Sequence, residues 1–322
     1  MAGTQPGHGG MDGSGVGMST APLVFAAGRP TVTVQPRRHA WRGALRGPDF
    51  TWAIAFAIPY MAIFVAFVLY PICYAFWLGG RPKLYAELAD SPIFLGALLN
   101  TAIYVGVSVN LKMFMAFLLS GFFMRRRWWI KALLVIFILP WATPALPAFM
   151  SIHWMLNGHW GFLNSVLWQL FGIEGPIWLI DRWLALGANI AATIWKQLPF
   201  WTVIFLAGRM SISQELYEAS AVDGANRLHR FRHITFPLLA NLYLICTLLS
   251  TIWTLGEFNA VFFISGGGPA MSTEVLATLG IRYAFTLANP PLGVAAVMAA
   301  LPLLVPVVAM VVHRLRRADV QL

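Results

Sequence analysis

The 322-residue sequence predicts an all-α, polytopic membrane protein with six transmembrane helices and a polar helical loop between the fourth and the fifth. Three observations predict it. Hydrophobic residues make up 59% of the chain and charged residues 11%, less than half of the ~25% usual in a soluble domain. Six apolar runs reach the ~20 residues that a helix needs to cross a bilayer. The net charge of +10 is unevenly spread, with Lys and Arg gathered in alternate segments between the runs.

Taken in order, residues 1–49 are polar and Gly-rich and read as a disordered tail ending in Arg37, Arg38, Arg42 and Arg46. They are too long and too polar for a cleavable signal. Residues 50–322 form one transmembrane domain. Its first span is expected over residues 51–78, kinked at Pro59 and Pro71, and a short polar segment, 79–94, follows. The second span, 95–123, leads into Arg125, Arg126, Arg127 and Lys131, with Trp128 and Trp129 at the interface. The third, 132–156, is bent by Pro140, Pro144 and Pro147. A loop, 157–183, precedes the fourth span, 184–210; the fifth is expected near 236–265, and the sixth, 290–313, follows a Gly/Pro-opened loop over 266–289.

Basic residues orient this ladder. The tail, the 124–131 loop, the segment after the fourth span (Arg209, Arg227, Arg230, Arg232) and the C-terminus (Arg314, Arg316, Arg317) are rich in them; the opposite segments hold only Arg81, Lys83, Arg182 and Arg282. The positive-inside rule puts both termini and the 211–237 loop in the cytoplasm. The positive charge is thus a topology signal, and no single basic face is available for nucleic acid.

The 211–237 loop is where acidic and basic residues crowd together. Ser213 with Glu215, or Ser211 with Gln214, can cap a helix start. Leu216, Ala219 and Val222 recur at helical spacing, Gly224 suits a left-handed exit, and Leu228, Phe231 and Ile234 mark a second short helix before Pro237. Helix, glycine break, helix makes a compact elbow suited to docking a partner protein.

Several chemistries are excluded. Cys73 and Cys246 both lie in apolar runs and offer neither a disulfide framework nor zinc spacing. No phosphate-binding G-x-x-x-x-G-K-[ST] occurs. His153, His159, His229 and His233 make no metal pattern, and no nucleophile–base set suggests catalysis.

Glu218-Ala219-Ser220, three residues, Gly224, nine residues, Ile234 and Pro237 closely resemble the EAA loop of inner-membrane permeases of ABC importers. Ser220 replaces the third-position Ala, Phe236 the Leu before Pro237, and Ser213 stands where many members have Pro. Asn100-Thr101, Leu139-Pro140, Trp154, Gly161-Phe162-Leu163-Asn164, Gly266-Gly267-Gly268-Pro269, Ser272-Thr273-Glu274-Val275-Leu276 and Tyr283-Ala284-Phe285 are similar to the carbohydrate-uptake branch, the maltose and glycerol-phosphate type. The resemblance covers residues 95–322. It implies a non-catalytic permease subunit in a bacterial inner membrane, with half of the path for a sugar, oligosaccharide or polyol. The implied partners are a second permease, a dimer of ATP-binding subunits that holds ATP and Mg, and an extracytoplasmic solute-binding protein; no cofactor belongs to this chain. Glu218, Ala219, Ser220, Asp223 and Gly224 would then couple to the ATPase: Glu218 facing basic or donor groups, Ala219 and Ser220 allowing close packing, Gly224 making the turn.

Lys112, Lys196 and Glu257 lie inside expected spans, where a central charge costs about 2.5–3.5 kcal/mol and needs a partner or a wet cavity. At ~1.5 Å per residue, Lys196 is roughly 18 Å and Glu257 roughly 12 Å from the outer face, so the two are expected to pair across the fourth and fifth spans. Lys112, roughly 25 Å deep, is left to the companion subunit or a water-filled cavity. Flat aromatic faces suit sugar rings, which makes Trp154, Lys196, Trp253, Glu257 and Asn259 the candidates for the substrate path. Two rivals are an ion-driven secondary transporter using the three intramembrane charges, and a membrane enzyme acting on a lipid-linked sugar. The elbow argues against both.

Overall fold

The computed structural model describes residues 48–125 and 127–319; the expected tail over 1–49 lies outside the described residues except for its last two. The chain divides into two compact units, one ending at Ala62 and one beginning at Ile63. The described part of the first is apolar helix belonging to α1 (Pro48–Phe64), with Pro59 inside it. The second carries the rest, and the described residues of both are helical or irregular, with no strand among them.

After a π-helical turn at Val65–Leu69 come α2 (Tyr70–Gly79) and the short α3 (Pro82–Asp90). The long α4 (Pro92–Phe123) is followed by α5 (Trp128–Ala142), α6 (Ala145–Met155) and α7 (Phe162–Phe171). Then come α8 (Arg182–Met210), the two elbow helices α9 (Gln214–Val222) and α10 (Arg227–Arg230), and α11 (Phe236–Leu255). The chain ends with α12 (Leu276–Ile281), α13 (Pro290–Met298) and α14 (Leu301–Asp319). Five stretches are long and apolar enough to cross a membrane: Trp52–Gly79, Pro92–Phe123, Arg182–Met210, Arg227–Leu255 and Pro290–Arg314. The bent pair α5–α6 makes a sixth if counted as one span.

The centre of the second unit is the seam between α4 and α8. Tyr104, Met113, Ala116 and Phe117 recur at helical spacing on one, and Leu186, Ile190, Ile194, Leu198, Trp201 and Phe205 on the other, and all are buried together with Leu239 and Cys246 of α11. Polar rungs cross the same seam. Arg182 donates to Asn100 Oδ1 at 3.0 Å, Tyr104 and Thr193 hydroxyls meet at 2.5 Å, Lys112 donates to Gln197 at 2.5 Å, and Arg209 Nε donates to Ser120 Oγ at 2.7 Å. Residue numbers rise together along both helices, so α4 and α8 run parallel. Two spans that cross from the same side must do so, whichever side that is.

The third span bends as its prolines lead one to expect, and the fifth span shifts at both ends. The third span breaks by 95° between α5 and α6. Thr143 is extended (ψ 144°) because it precedes Pro144, whose ring disfavours the helical region for its neighbour. The fifth span begins at Arg227 and ends at Leu255 instead of running over 236–265. Pro237 does not open a fresh helix. The π-helical turn Phe231–Thr235 just ahead of it widens the coil where the missing N–H and the ring would otherwise disrupt the ladder. Beyond the turn at Gly256, residues 257–258 are a break before helix resumes at 259 and runs into a further π-helical turn at Val261–Ser265. The first span holds the same device, with the turn at Val65–Leu69 preceding Pro71.

A second cluster joins Leu88, Ala97, Leu276, Leu279, Tyr283, Leu292 and Ala295. Here backbones nearly touch: a Cβ on Gly293 would stand 2.5 Å from the Gly280 carbonyl oxygen and 2.8 Å from the Ala284 nitrogen. Gly293→Ala should therefore destabilise the purified protein by about 1–3 kcal/mol, seen as a lower thermal midpoint in detergent. Gly96→Ala, where nothing lies within 4 Å, should shift it by less than about 0.5 kcal/mol.

Candidate functional site

Three constellations built on this frame bear on function, and the first joins segments far apart in sequence. Asn100 Nδ2 donates to the carbonyls of Ser272 at 2.7 Å and Glu274 at 2.9 Å, and Thr101 Oγ1 accepts from the Leu276 amide at 2.8 Å. The Asn100-Thr101 and Ser272–Leu276 stretches, singled out separately in the sequence, are thus one structure. Glu274 is buried beneath them, accepting from Thr278 and ion-paired with Arg282. Its carboxylate occupies the space where a Cβ on Gly267 (φ +79°) would sit, so this turn requires glycine. Asn164 organises the other loop of this face, donating to Gly158 and Pro176 carbonyls and accepting from Trp178 Nε1 at 2.7 Å.

The second constellation holds the intramembrane charges, and it corrects the expected Lys196–Glu257 pair. Lys196 is buried and donates to the carbonyls of Thr143 (2.5 Å), Pro140 (2.9 Å) and Trp141 (3.5 Å). These are carbonyls freed at the α5 terminus by the Pro144 break, at the negative end of a helix dipole. Glu257 sits in the break after α11 and accepts from the amide and side chain of Asn259, at 2.9 and 3.0 Å. Among the described residues the ion pair is Arg282–Glu274. Lys112 is fully buried between Gln197 (2.5 Å) and Thr254 (3.3 Å), so its partners lie within this chain.

The candidate aromatics separate. Trp253 belongs to a chain of rings with Phe200 and Trp201, at 5.3 and 5.4 Å, while Phe200 also stacks on Trp141. Trp154 packs instead against Trp160 at 5.1 Å and His153 at 5.6 Å. Glu257 and Asn259 are brought together; Trp154 and Trp253 fall in different clusters.

The elbow is the third constellation. Ser213 Oγ accepts from the Glu215 amide to start α9, and Gln214 reaches Glu218 at 2.7 Å across one turn. Gly224 then takes φ +77°, and Asn226 Oδ1 caps α10 by accepting from the His229 amide at 2.8 Å. The Ser220 hydroxyl donates to the Tyr217 carbonyl, and its own carbonyl accepts from the Ala225 amide, closing the turn. Glu218, Ala219, Asp223 and Gly224 are exposed, beside exposed apolar Leu216, Val222 (89%) and Leu228 (74%). Two anchors hold the elbow to the bundle. Tyr217 hydrogen-bonds Thr235 at 2.9 Å. Buried Arg209 donates to Ser120 and the Phe117 carbonyl and lies over the rings of Phe117 and Phe231, at 4.6 and 5.9 Å. Sequence reasoning counts Arg209 only as an inward charge. Its place one residue before the end of a span, below two aromatics, is the signal that was there.

A helical bundle of multiple spanning helices with internally satisfied polar groups and a structured extramembrane elbow defines a multi-pass membrane transport component. The model of the family described as binding-protein-dependent transport system inner membrane component matches residues 112–319, and the chain belongs to that family. The trehalose/maltose transport system permease protein MalF of Thermococcus litoralis is 28% identical, over 70% of this chain and 81% of its own length. The sulfoquinovosyl glycerol transport system permease protein SmoG of Agrobacterium fabrum is 35% identical, over 60% of this chain and 62% of its own. The crystal structure of a bacterial alginate ABC transporter in complex with alginate pentasaccharide-bound periplasmic protein contains a chain of the same fold. Its TM-score is 0.75 at 22% identity, covering 87% of this chain and 98% of that one. The protein is a permease component of a binding-protein-dependent importer and not an enzyme, which removes the ion-driven transporter and the lipid-linked-sugar enzyme as readings.

The charge assignments separate by mutation. Lys196→Met strands the carbonyls at the α5–α6 bend and should cost about 1–3 kcal/mol, read as a lower thermal midpoint. Glu257→Gln keeps the oxygen that Asn259 uses and should leave the midpoint within about 0.5 kcal/mol; a large drop would restore the direct ion pair.

Proposed function

We propose that this chain forms half of the translocation path for a sugar, oligosaccharide or polyol and couples that path to a separate dimer of ATP-binding subunits through the elbow. One observation carries the coupling. The elbow's second helix runs from Arg227 through a π-helical turn into a continuous spanning stretch ending at Leu255, while its other root, α8, is fixed at Arg209. A displacement of α9 by a partner therefore acts on a long helix and not on a slack loop. The exposed Glu218, the flanking Leu216 and Val222 and the turn at Gly224 support docking in a cleft of that partner.

In this reading ATP and Mg belong to the partner ATPase, and a second permease completes the path. The loops over 157–183 and 266–289 meet an extracytoplasmic binding protein. Residues 50–322 are the permease domain in a bacterial inner membrane, with both termini and the elbow cytoplasmic and residues 1–49 an appended tail. The carbohydrate class is supported by the maltose- and sulfoquinovosyl-glycerol-type relatives and by the aromatic surfaces. Exposed Trp253, with Glu257 in the break after α11 and Asn259 just past it, is the proposed ring-stacking and hydroxyl-binding wall; Trp154 with Trp160 is a second platform. Lys196 acts by holding the α5–α6 bend that shapes the path.

Co-purification from native membranes tests the coupling. Wild type should bring down an ATP-binding subunit and a second permease. Glu218→Lys should keep the permease and weaken the ATPase by about 2–5 kcal/mol, the scale of breaking a charged interface contact. Recovery of an active ATPase with Glu218→Lys at wild-type yield would reject the elbow as the docking element.

A further inference from the structure

We propose that the basic face beside the elbow binds the phosphate headgroup of an anionic phospholipid. Arg125, Arg127 and Arg227 line one cavity of about 810 Å3 together with Trp129 and Gly121. A neighbouring cavity of about 900 Å3 shares Arg125 and adds Lys131 and Arg209. Among the described residues no carboxylate lines either one. The ion pair present among the described residues, Arg282–Glu274, belongs to the opposite end of α4. Arg125 lies over the Phe122 ring at 5.5 Å, and the side chains of Arg127 and Arg227 have no hydrogen-bond or ion-pair partner among the described residues. Three guanidinium groups from two separate segments thus converge on one space with no carboxylate among its described lining residues to neutralise them. A phosphate diester offers the acceptor oxygens and the charge that such a set lacks.

The adjoining surface selects a lipid over a free phosphate or an acidic protein segment. Trp129, Leu133, Ile136 and Leu139 follow one another at i, i+4, i+7 and i+10 along α5, and all are exposed, at 40, 41, 62 and 55%. That apolar stripe starts at the arginine cavity and runs for about 15 Å, roughly half of a ~30 Å hydrocarbon core. A headgroup seated among the arginines would place an acyl chain along it, with the Trp129 indole at the boundary between the two. Because the cavity combines the 124–131 loop with Arg227, where the elbow's second helix begins, a bound lipid would brace the elbow against the bundle.

The test uses the intact transporter with its partner subunits, held in phosphatidylcholine nanodiscs and titrated with phosphatidylglycerol, with bound lipid counted by native mass spectrometry. Wild type should retain phosphatidylglycerol, and each of Arg125→Gln, Arg127→Gln and Arg227→Gln should weaken binding about fivefold. The triple Gln variant should lose the lipid, and the triple Lys variant should regain most of it. If the triple Gln variant fails to fold, the single variants and the Lys variant decide the matter. Unchanged lipid in all variants overturns the proposal. So does displacement of phosphatidylglycerol by inorganic phosphate alone, which would make this a free-phosphate site. Loss of the ATP-binding subunit with lipid binding intact also overturns it, by assigning the arginines to a protein interface.

Discussion

A polar group facing hydrocarbon has no water to fall back on, and its partner must come from the protein. This constraint organises the α4–α8 seam. Its rungs begin at Asn100 and end at Ser120, a rise of about 30 Å, so they are distributed over the full hydrocarbon thickness. Each rung pins a particular residue of one helix to a particular residue of the other. Apolar packing of Met113 or Leu198 tolerates sliding; Lys112 against Gln197 and Thr254 does not. The seam is thus both the core and the register mark from which the remaining elements are hung.

At the two ends of that seam the partners change character. At one end Asn100 and Thr101 hold the Ser272–Leu276 turn by backbone hydrogen bonds, with Glu274 and Arg282 locking it from below. At the other, Ser120 and the Phe117 carbonyl hold Arg209, whose guanidinium stacks on Phe231 of the elbow. One pair of helices therefore connects the loop region proposed for the binding protein with the loop proposed for the ATPase. Coupling through such a connection needs an element with two discrete arrangements, and the break at Gly256–Phe258, the bend between α5 and α6 and the proline-associated π-helical turns are places where this fold departs from straight helices.

Much of the fold was legible because the bilayer demands long apolar runs and sorts basic residues by side. The elbow was legible because caps, helical spacing and Gly224 agreed over a short stretch. The Lys196–Glu257 pair fails for a geometric reason: counting residues gives depth along a helix but not direction around it. Lys196 points to carbonyls at Thr143 and Pro140. That need was visible in principle, since Pro144 ends a helix within the apolar run and strands acceptors there. The start of the fifth span was misplaced because a proline can be carried through a helix by a π-helical turn, which the sequence pattern alone does not distinguish from a helix start; its end was misplaced because the break after Gly256 lies within one continuous apolar run. The meeting of Asn100 with Ser272 and Glu274 is a contact across 172 residues or more, and no local periodicity carries it.

The parallel seam also bears on how the molecule is made. Arg182–Met210 is the least apolar of the five spanning stretches, and it carries Asn189, Lys196, Gln197 and Arg209. A basic residue at mid-membrane adds about 2.5–3.5 kcal/mol to the cost of leaving the translocon, so α8 gains little by entering lipid alone. Its acceptors at Ser120 and the Phe117 carbonyl are on α4, and those for Lys196 are at the end of α5 and on Thr143 just past it, all synthesised earlier. The order of the helices along the chain is therefore an order of biogenesis, in which two less polar segments enter first and then act as the solvent for a third.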